Sequence, residues 1–145
     1  MHSYRFSPGP IHLLRVERDA DLYEEISRFA SGRGITAATV SFLGSVQRAS
    51  LRYYDQEARR YQDFAIEHPL EVVAGVGNVT LLHGEPFLHI HAAFTDEFGR
   101  GHGGHVNVGT VVFAVEVTIQ ELVGDAPVRL PDPASGLSLW GPTAS

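Results

Sequence analysis

Residues 88–94 read Leu88-His89-Ile90-His91-Ala92-Ala93-Phe94. Leu88, Ile90, Ala92 and Phe94 share one parity, and His89 and His91 share the other. Side chains alternate faces along a β-strand, so a period of two predicts a strand with its apolar face on the core. The two imidazoles then stand side by side on the opposite face, roughly 6–7 Å apart at Cα.

The segments around this strand carry the same signal. Leu70–Leu82 is a long apolar run interrupted by Gly75 and Gly77, which mark a bulge or a close backbone approach. The turn His83-Gly84-Glu85-Pro86 joins it to residues 87–95. Nearer the N-terminus, strand signals cover residues 11–16, after the breaker Pro8-Gly9-Pro10, and residues 36–46, ending near Gly44. Residues 51–54 read as a further strand, with a turn at Asp55-Gln56-Glu57 and a hairpin partner over residues 60–67. Residues 96–104 read as a polar, glycine-rich loop, and residues 110–122 as the longest apolar β run.

One stretch has the helical period. Leu22, Ile26, Phe29 and Ala30 recur at helical spacing behind Asp21 and Glu24, which have capping-box spacing. Gly32 and Gly34 close the segment, so the pattern predicts one amphipathic helix near residues 19–32. The tail, residues 124–145, carries four prolines and reads as irregular. The expected fold is α+β: a compact single domain with a largely antiparallel mixed sheet of about seven strands and one main helix.

Composition excludes several chemistries. The chain has 145 residues and no cysteine, which removes disulfides, thiolate catalysis, zinc fingers and iron–sulfur clusters. It also has no lysine; all eleven basic residues are arginine. A lysine Schiff base and a Walker-type phosphate lysine are therefore impossible. The net charge of −6 disfavours general affinity for nucleic acid. The N-terminus lacks a basic region followed by an apolar run, and no stretch approaches the roughly 18 apolar residues of a membrane span. A soluble cytoplasmic protein is the expectation.

Two histidines at i and i+2 on a strand form half of a metal site, because their rings can converge on one ion at about 2.0–2.1 Å. The segment Gly101-His102-Gly103-Gly104-His105 follows, and a hairpin return beside the first strand brings it alongside. The expected ligands are His89, His91 and His105. His102, in the glycine-rich loop, is expected either in solvent or behind the ligands. Neutral imidazoles suit zinc, and also nickel, copper or iron. Three protein ligands leave a coordination position open for a small ligand or substrate. A carboxylate beside such a site serves as general base, and Glu67, at a strand end next to His68 and Pro69, is the first candidate. The competing explanation of His-x-His is a solvated strand face. The run Gly99-x-Gly101-x-Gly103-Gly104 does not support dinucleotide binding, because a β run and not a helix follows it.

Several motifs together resemble a known family. Leu88-His89-Ile90-His91-Ala92, then Gly101-His102-Gly103-Gly104-His105-Val106-Asn107-Val108-Gly109, then Val112-Phe113-Ala114-Val115-Glu116-Val117-Thr118-Ile119 are similar to the PPC domain (plants and prokaryotes conserved). Ala37-Ala38-Thr39-Val40-Ser41-Phe42-Leu43-Gly44-Ser45-Val46 resembles the first half of that domain, so the likeness covers residues 4–123. The resemblance implies assembly as a homotrimer and metal on the histidines matching His89, His91 and His105. In plants the domain is fused to AT-hook motifs and mediates protein association and transcriptional regulation, and prokaryotic members carry a DNA-binding label by analogy. This chain has Gly32-Arg33-Gly34 but no Arg-Gly-Arg-Pro core and no basic arm, so direct DNA binding is not expected. Two functions compete: a zinc-binding module with a small-molecule ligand, and an oligomeric, DNA-associated interaction module without catalytic activity.

Overall fold

The computed structural model of the chain describes residues 1–142. The N-terminal strand β1 (Ser7–Val16) leads into the helix α1 (Leu22–Gly32). Asp21 caps the helix by accepting from the Glu24 amide at 2.9 Å, which is the capping half of the expected box. Leu22, Ile26 and Ala30 turn inward at helical spacing and are buried.

Strand β2 (Ala38–Asp55) runs for 18 residues, where the sequence divides it at Gly44 and again before Leu51. Gly44 has φ 133°, and a Cβ there would lie 2.1 Å from the Ala114 carbonyl oxygen. It is a bulge that bends one strand and not a break between two, with register shifts beside it towards both neighbours. Strands β3 (Arg60–Ile66), β4 (Leu70–Leu82) and β5 (Glu85–Thr95) follow. The first half of β2 pairs with β4 and with the later strand β7 (Val111–Val123). Its second half pairs with β3 and with β6 (Gly101–Val106).

Strand β6 corrects the expected loop over residues 96–104. Only residues 96–100 turn, and Gly101 already pairs with Thr95. A Cβ on Gly103 would lie 2.8 Å from the Ala92 carbonyl oxygen, so the glycines serve close strand packing as well as turning. Because β2 pairs with β4 and β6, and β5 pairs with both, these four strands close a ring of antiparallel ladders. Inside lie Leu88, Ile90, Phe94, Val106 and Val79, and α1 packs against β5 and β7.

The tail is not irregular throughout. Strand β8 (Val128–Pro131) pairs in parallel with Leu81 and Leu82 of β4, and β9 (Ser138–Trp140) pairs with β8. Pro131 is tolerated because it ends β8, beyond the two residues that pair with β4. Residues 143–145 of the expected tail lie outside the described residues. Among the described residues the domain holds one helix and nine strands, mostly antiparallel, more strands than the sequence pattern predicts. No described helix is long and apolar enough to cross a membrane.

The glycines of β4 are sites of close approach. The space beyond Gly75 is filled by the Phe42 ring, 2.2 Å from a Cβ position. A Cβ on Gly77 would stand 2.1 Å from the His89 carbonyl oxygen and 2.6 Å from Ile90 Cγ2. Gly77→Ala is therefore expected to force β4 and β5 apart and destabilise the fold by about 1–3 kcal/mol. Denaturant unfolding checks this; an unchanged midpoint contradicts the close approach.

Candidate metal centre

Strand β5 alternates as its sequence requires: Leu88 and Ile90 are buried, and His89 and His91 stand on the other face. The return strand β6 places His105 directly opposite His91. Opposed residues of a ladder project to the same face, so all three imidazoles meet. Their ring centroids lie 5.0, 5.0 and 5.1 Å apart. One ring nitrogen from each lies within 4.8 Å of the others, and His89 Nε2 is 3.1 Å from His91 Nε2. Two ligands of a tetrahedral ion bound at 2.0–2.1 Å are about 3.3 Å apart. The donor set fits a divalent ion.

Asp96 fixes the turn that brings β6 back. It accepts from the amides of Phe98 and Arg100, both at 2.9 Å, and from Arg100 Nε at 2.6 Å. Burial opposes charge on this carboxyl, but these donors and His102 outweigh burial and hold it well below the usual carboxylate range.

Of the five residues expected at the site, the structure gathers three. His102 is three residues from His105 on the same strand, so it faces the other way, opposite Phe94. It belongs to a separate group with His68 and Asp96, its Nε2 3.5 Å from Asp96 Oδ2. Glu67 lies outside the histidine cluster and pairs with Arg48 at 3.0 Å. The register of β3 against β2 brings Tyr61 to the cluster instead, its ring 5.7 Å from that of His105.

The sequence reading missed Arg129, on β8. Its Nε donates to Thr80 Oγ1 at 2.9 Å, Nη1 to the Ser138 carbonyl at 3.1 Å, and Nη2 to Asn78 Oδ1 at 3.1 Å. Nη2 also lies 3.3 Å from His89 Nδ1. Arginine has only donors, so Nδ1 accepts, and the proton of neutral His89 sits on Nε2, towards His91. Arg129, His89, His105, Tyr61, Phe87 and Leu139 line a cleft of about 250 Å³. No local pattern marks Arg129, because its role comes from a parallel pairing between segments far apart in the chain.

A sheet domain with three imidazoles converging on one open face is the class that this fold and site define. Residues 4–123 match the Plants and Prokaryotes Conserved (PCC) domain, and the chain belongs to that family. The crystal structure of the metal-containing protein AF0104 from Archaeoglobus fulgidus is similar, with 38% identity and a TM-score of 0.92. That likeness covers 97% of this chain and 99% of the other. A plant- and prokaryote-conserved (PPC) protein from Pyrococcus horikoshii is 32% identical, with a TM-score of 0.90 over 100% of both chains. The bifunctional protein GlmU of Synechococcus sp. (strain JA-3-3Ab) is 31% identical over 128 residues, 87% of this chain. The chain spans 19% of that relative's length.

Burial pushes His89 down to about 4, helped by Arg129 and His91. Burial likewise pushes His105 down to about 4, with His89, His91, Arg52 and Arg129 adding to it, and burial lowers His91. All three are thus neutral at pH 7, the protonation state a metal requires. Below the ordinary histidine value of 6.5, the unfolded chain takes up protons that the folded cluster refuses. Stability is therefore complete above pH 6.5 and falls as pH drops towards 4. The thermal midpoint of metal-free protein is expected to decline across that window, and more shallowly in His105→Asn. A flat profile in the unsubstituted protein contradicts the buried neutral cluster.

Proposed function

We propose that this chain is a metal-binding domain, with zinc the first choice of ion, held by His89, His91 and His105. The single observation that carries the reading is the convergence of three imidazole nitrogens within 4.8 Å. The group contains no carboxylate and no thiolate, which favours zinc, nickel, copper or iron over calcium or magnesium. The likeness to AF0104, a protein described as metal-containing, supports the same reading. When bound, such an ion supplies Lewis acidity to whatever small ligand occupies the cleft. Tyr61 and Arg129 offer hydroxyl and guanidinium donors beside it, and Phe87 and Leu139 shape its apolar wall.

Assembly as a homotrimer belongs to this proposal. Leu13, Thr118, Ser41, Val76 and His91 form one row across the outer face through paired strands. Ile11, Leu13, Leu43 and Val76 are exposed on that face, an apolar surface that a second copy would cover. A cytoplasmic location fits a cysteine-free chain. The alternative is a DNA-associated interaction module acting through a partner. The net charge of −6 argues against direct contact with DNA, and tight sequence-selective gel shifts by this chain alone would favour that alternative.

Calorimetric titration of stripped protein with zinc is expected to show one ion per chain. His91→Ala should weaken it by more than ~100-fold, beyond the effect of losing an outer partner. No uptake by protein with all three histidines ends the reading. Sedimentation should give three times the chain mass, and Val76→Glu should shift it towards monomer; a monomeric unsubstituted protein removes the trimer.

A further inference from the structure

The cleft beside the histidines contains a charge that no carboxylate among the described residues pairs with. Arg129 is 8% exposed, and its four contacts are a hydroxyl, an amide oxygen, a backbone carbonyl and an imidazole. Among the described residues no carboxylate pairs with it. Arg52, the other cation near His105, is different: Asp63 accepts from its Nε at 2.9 Å and its Nη2 at 3.2 Å. Burying an unpaired guanidinium is costly, and buried charges without a partner cluster at sites that bind or react.

We infer that Arg129 makes this cleft a receptor for a small organic carboxylate, held by the guanidinium beside the three-histidine cluster. The inference rests on the proposed metal site for its full form, because three neutral imidazoles bring no negative charge to offset a divalent ion. With the ion present the cleft carries only positive charge, and an anionic ligand satisfies both cations.

The donor count agrees. A guanidinium has five N–H groups, and the four contacts leave one on Nη1 free. A second is freed by the histidine itself. His89 offering Nε2 to an ion carries its proton on Nδ1, and an Nδ1–H cannot accept from Arg129. The proton moves from one ring nitrogen to the other, the ring stays neutral, and Nη2 loses that acceptor. Two guanidinium N–H groups are then available to a carboxylate.

The walls favour an organic anion over an inorganic one. The guanidinium carbon lies 5.1 Å from the centroid of the Phe87 ring, which holds the planar cation in place. Leu82, Phe87 and Leu139 give the cleft apolar surface, and about 250 Å³ is small beside pockets for drug-sized ligands.

Lactate, its neutral isostere lactamide, and inorganic phosphate are the probes, titrated calorimetrically into zinc-loaded and metal-free protein. A cobalt-loaded sample gives a second readout through its visible bands. Lactate is expected to bind at least ~10-fold tighter than lactamide, the scale of a charge-assisted contact. In metal-free protein Arg129→Met should abolish that preference, and in zinc-loaded protein it should reduce it while one zinc per chain is still taken up; Arg129→Lys should retain part of it with the fold intact. Equal affinity for lactate and lactamide overturns the inference, as does a preference in metal-free protein that survives Arg129→Met. Tighter binding of phosphate than lactate overturns the carboxylate assignment. Failure of zinc uptake fails the metal reading alone; the metal-free titration then decides the inference by the same lactate preference and its dependence on Arg129.

Discussion

The register between β5 and β6 is the constraint on which the histidine cluster depends. Strand side chains repeat every second residue, so a slip of one position would turn His105 to the far face and put Gly104 opposite His91. The same slip would turn Val106 out of the core, where it is fully buried, at a cost of about 1.5–3 kcal/mol. Asp96 adds a local restraint by tying together the turn of residues 96–100. Gly103 adds another, since only a residue without Cβ lies so close to the Ala92 carbonyl. Core packing on one face thus fixes functional geometry on the other.

That outer face gathers groups of one chemical kind. His89, His91 and His105 present ring nitrogens to one another, and Arg129 presses on the first of them. Nitrogen lone pairs aimed at a common point repel unless a proton or a cation stands between them. A single proton on His89 Nε2 satisfies only the contact with His91. A divalent ion satisfies all three nitrogens at once, which is why convergence says more than histidine content. The lowered pKa values follow from the same crowding, since a proton added to His89 or His105 meets burial first and then neighbouring charges, and one added to His91 meets burial.

Legibility in the sequence tracked the range of the interactions. The period-two pattern of residues 88–94 gave the strand, its buried face and the two histidines, because alternation is a local property. His105 was readable one step further out, through a hairpin return bordered by glycines. Glu67 and His102 lie outside the cluster for separate reasons. His102 is near in sequence but of the wrong parity on β6, and parity there was hidden by reading residues 96–104 as loop. Glu67 follows a strand whose pairing sets Tyr61, six residues earlier, beside His105. Gly44 reads as a strand end in the sequence because a bulge and a break look alike until the partner strands are known. Arg129 had no local signature at all, sitting among prolines in a segment whose structure comes from pairing with β4.

The position of Arg129 divides the labour of the cleft between two parts of the chain. The family match ends at residue 123, and the strands that carry the three histidines lie within it. The guanidinium comes from residue 129, anchored by Thr80 and Asn78 of β4 and by the carbonyl of Ser138 in β9. Asn78 lies opposite His89 across the β4–β5 ladder, so one pair of strands presents both the first histidine and the anchor of the arginine. Changes in β8 and β9 can therefore alter what the cleft recognises while leaving the β5–β6 register, and the imidazoles it aligns, in place. The imidazoles thus stand on strands of the matched segment, and the guanidinium reaches them from a strand outside it.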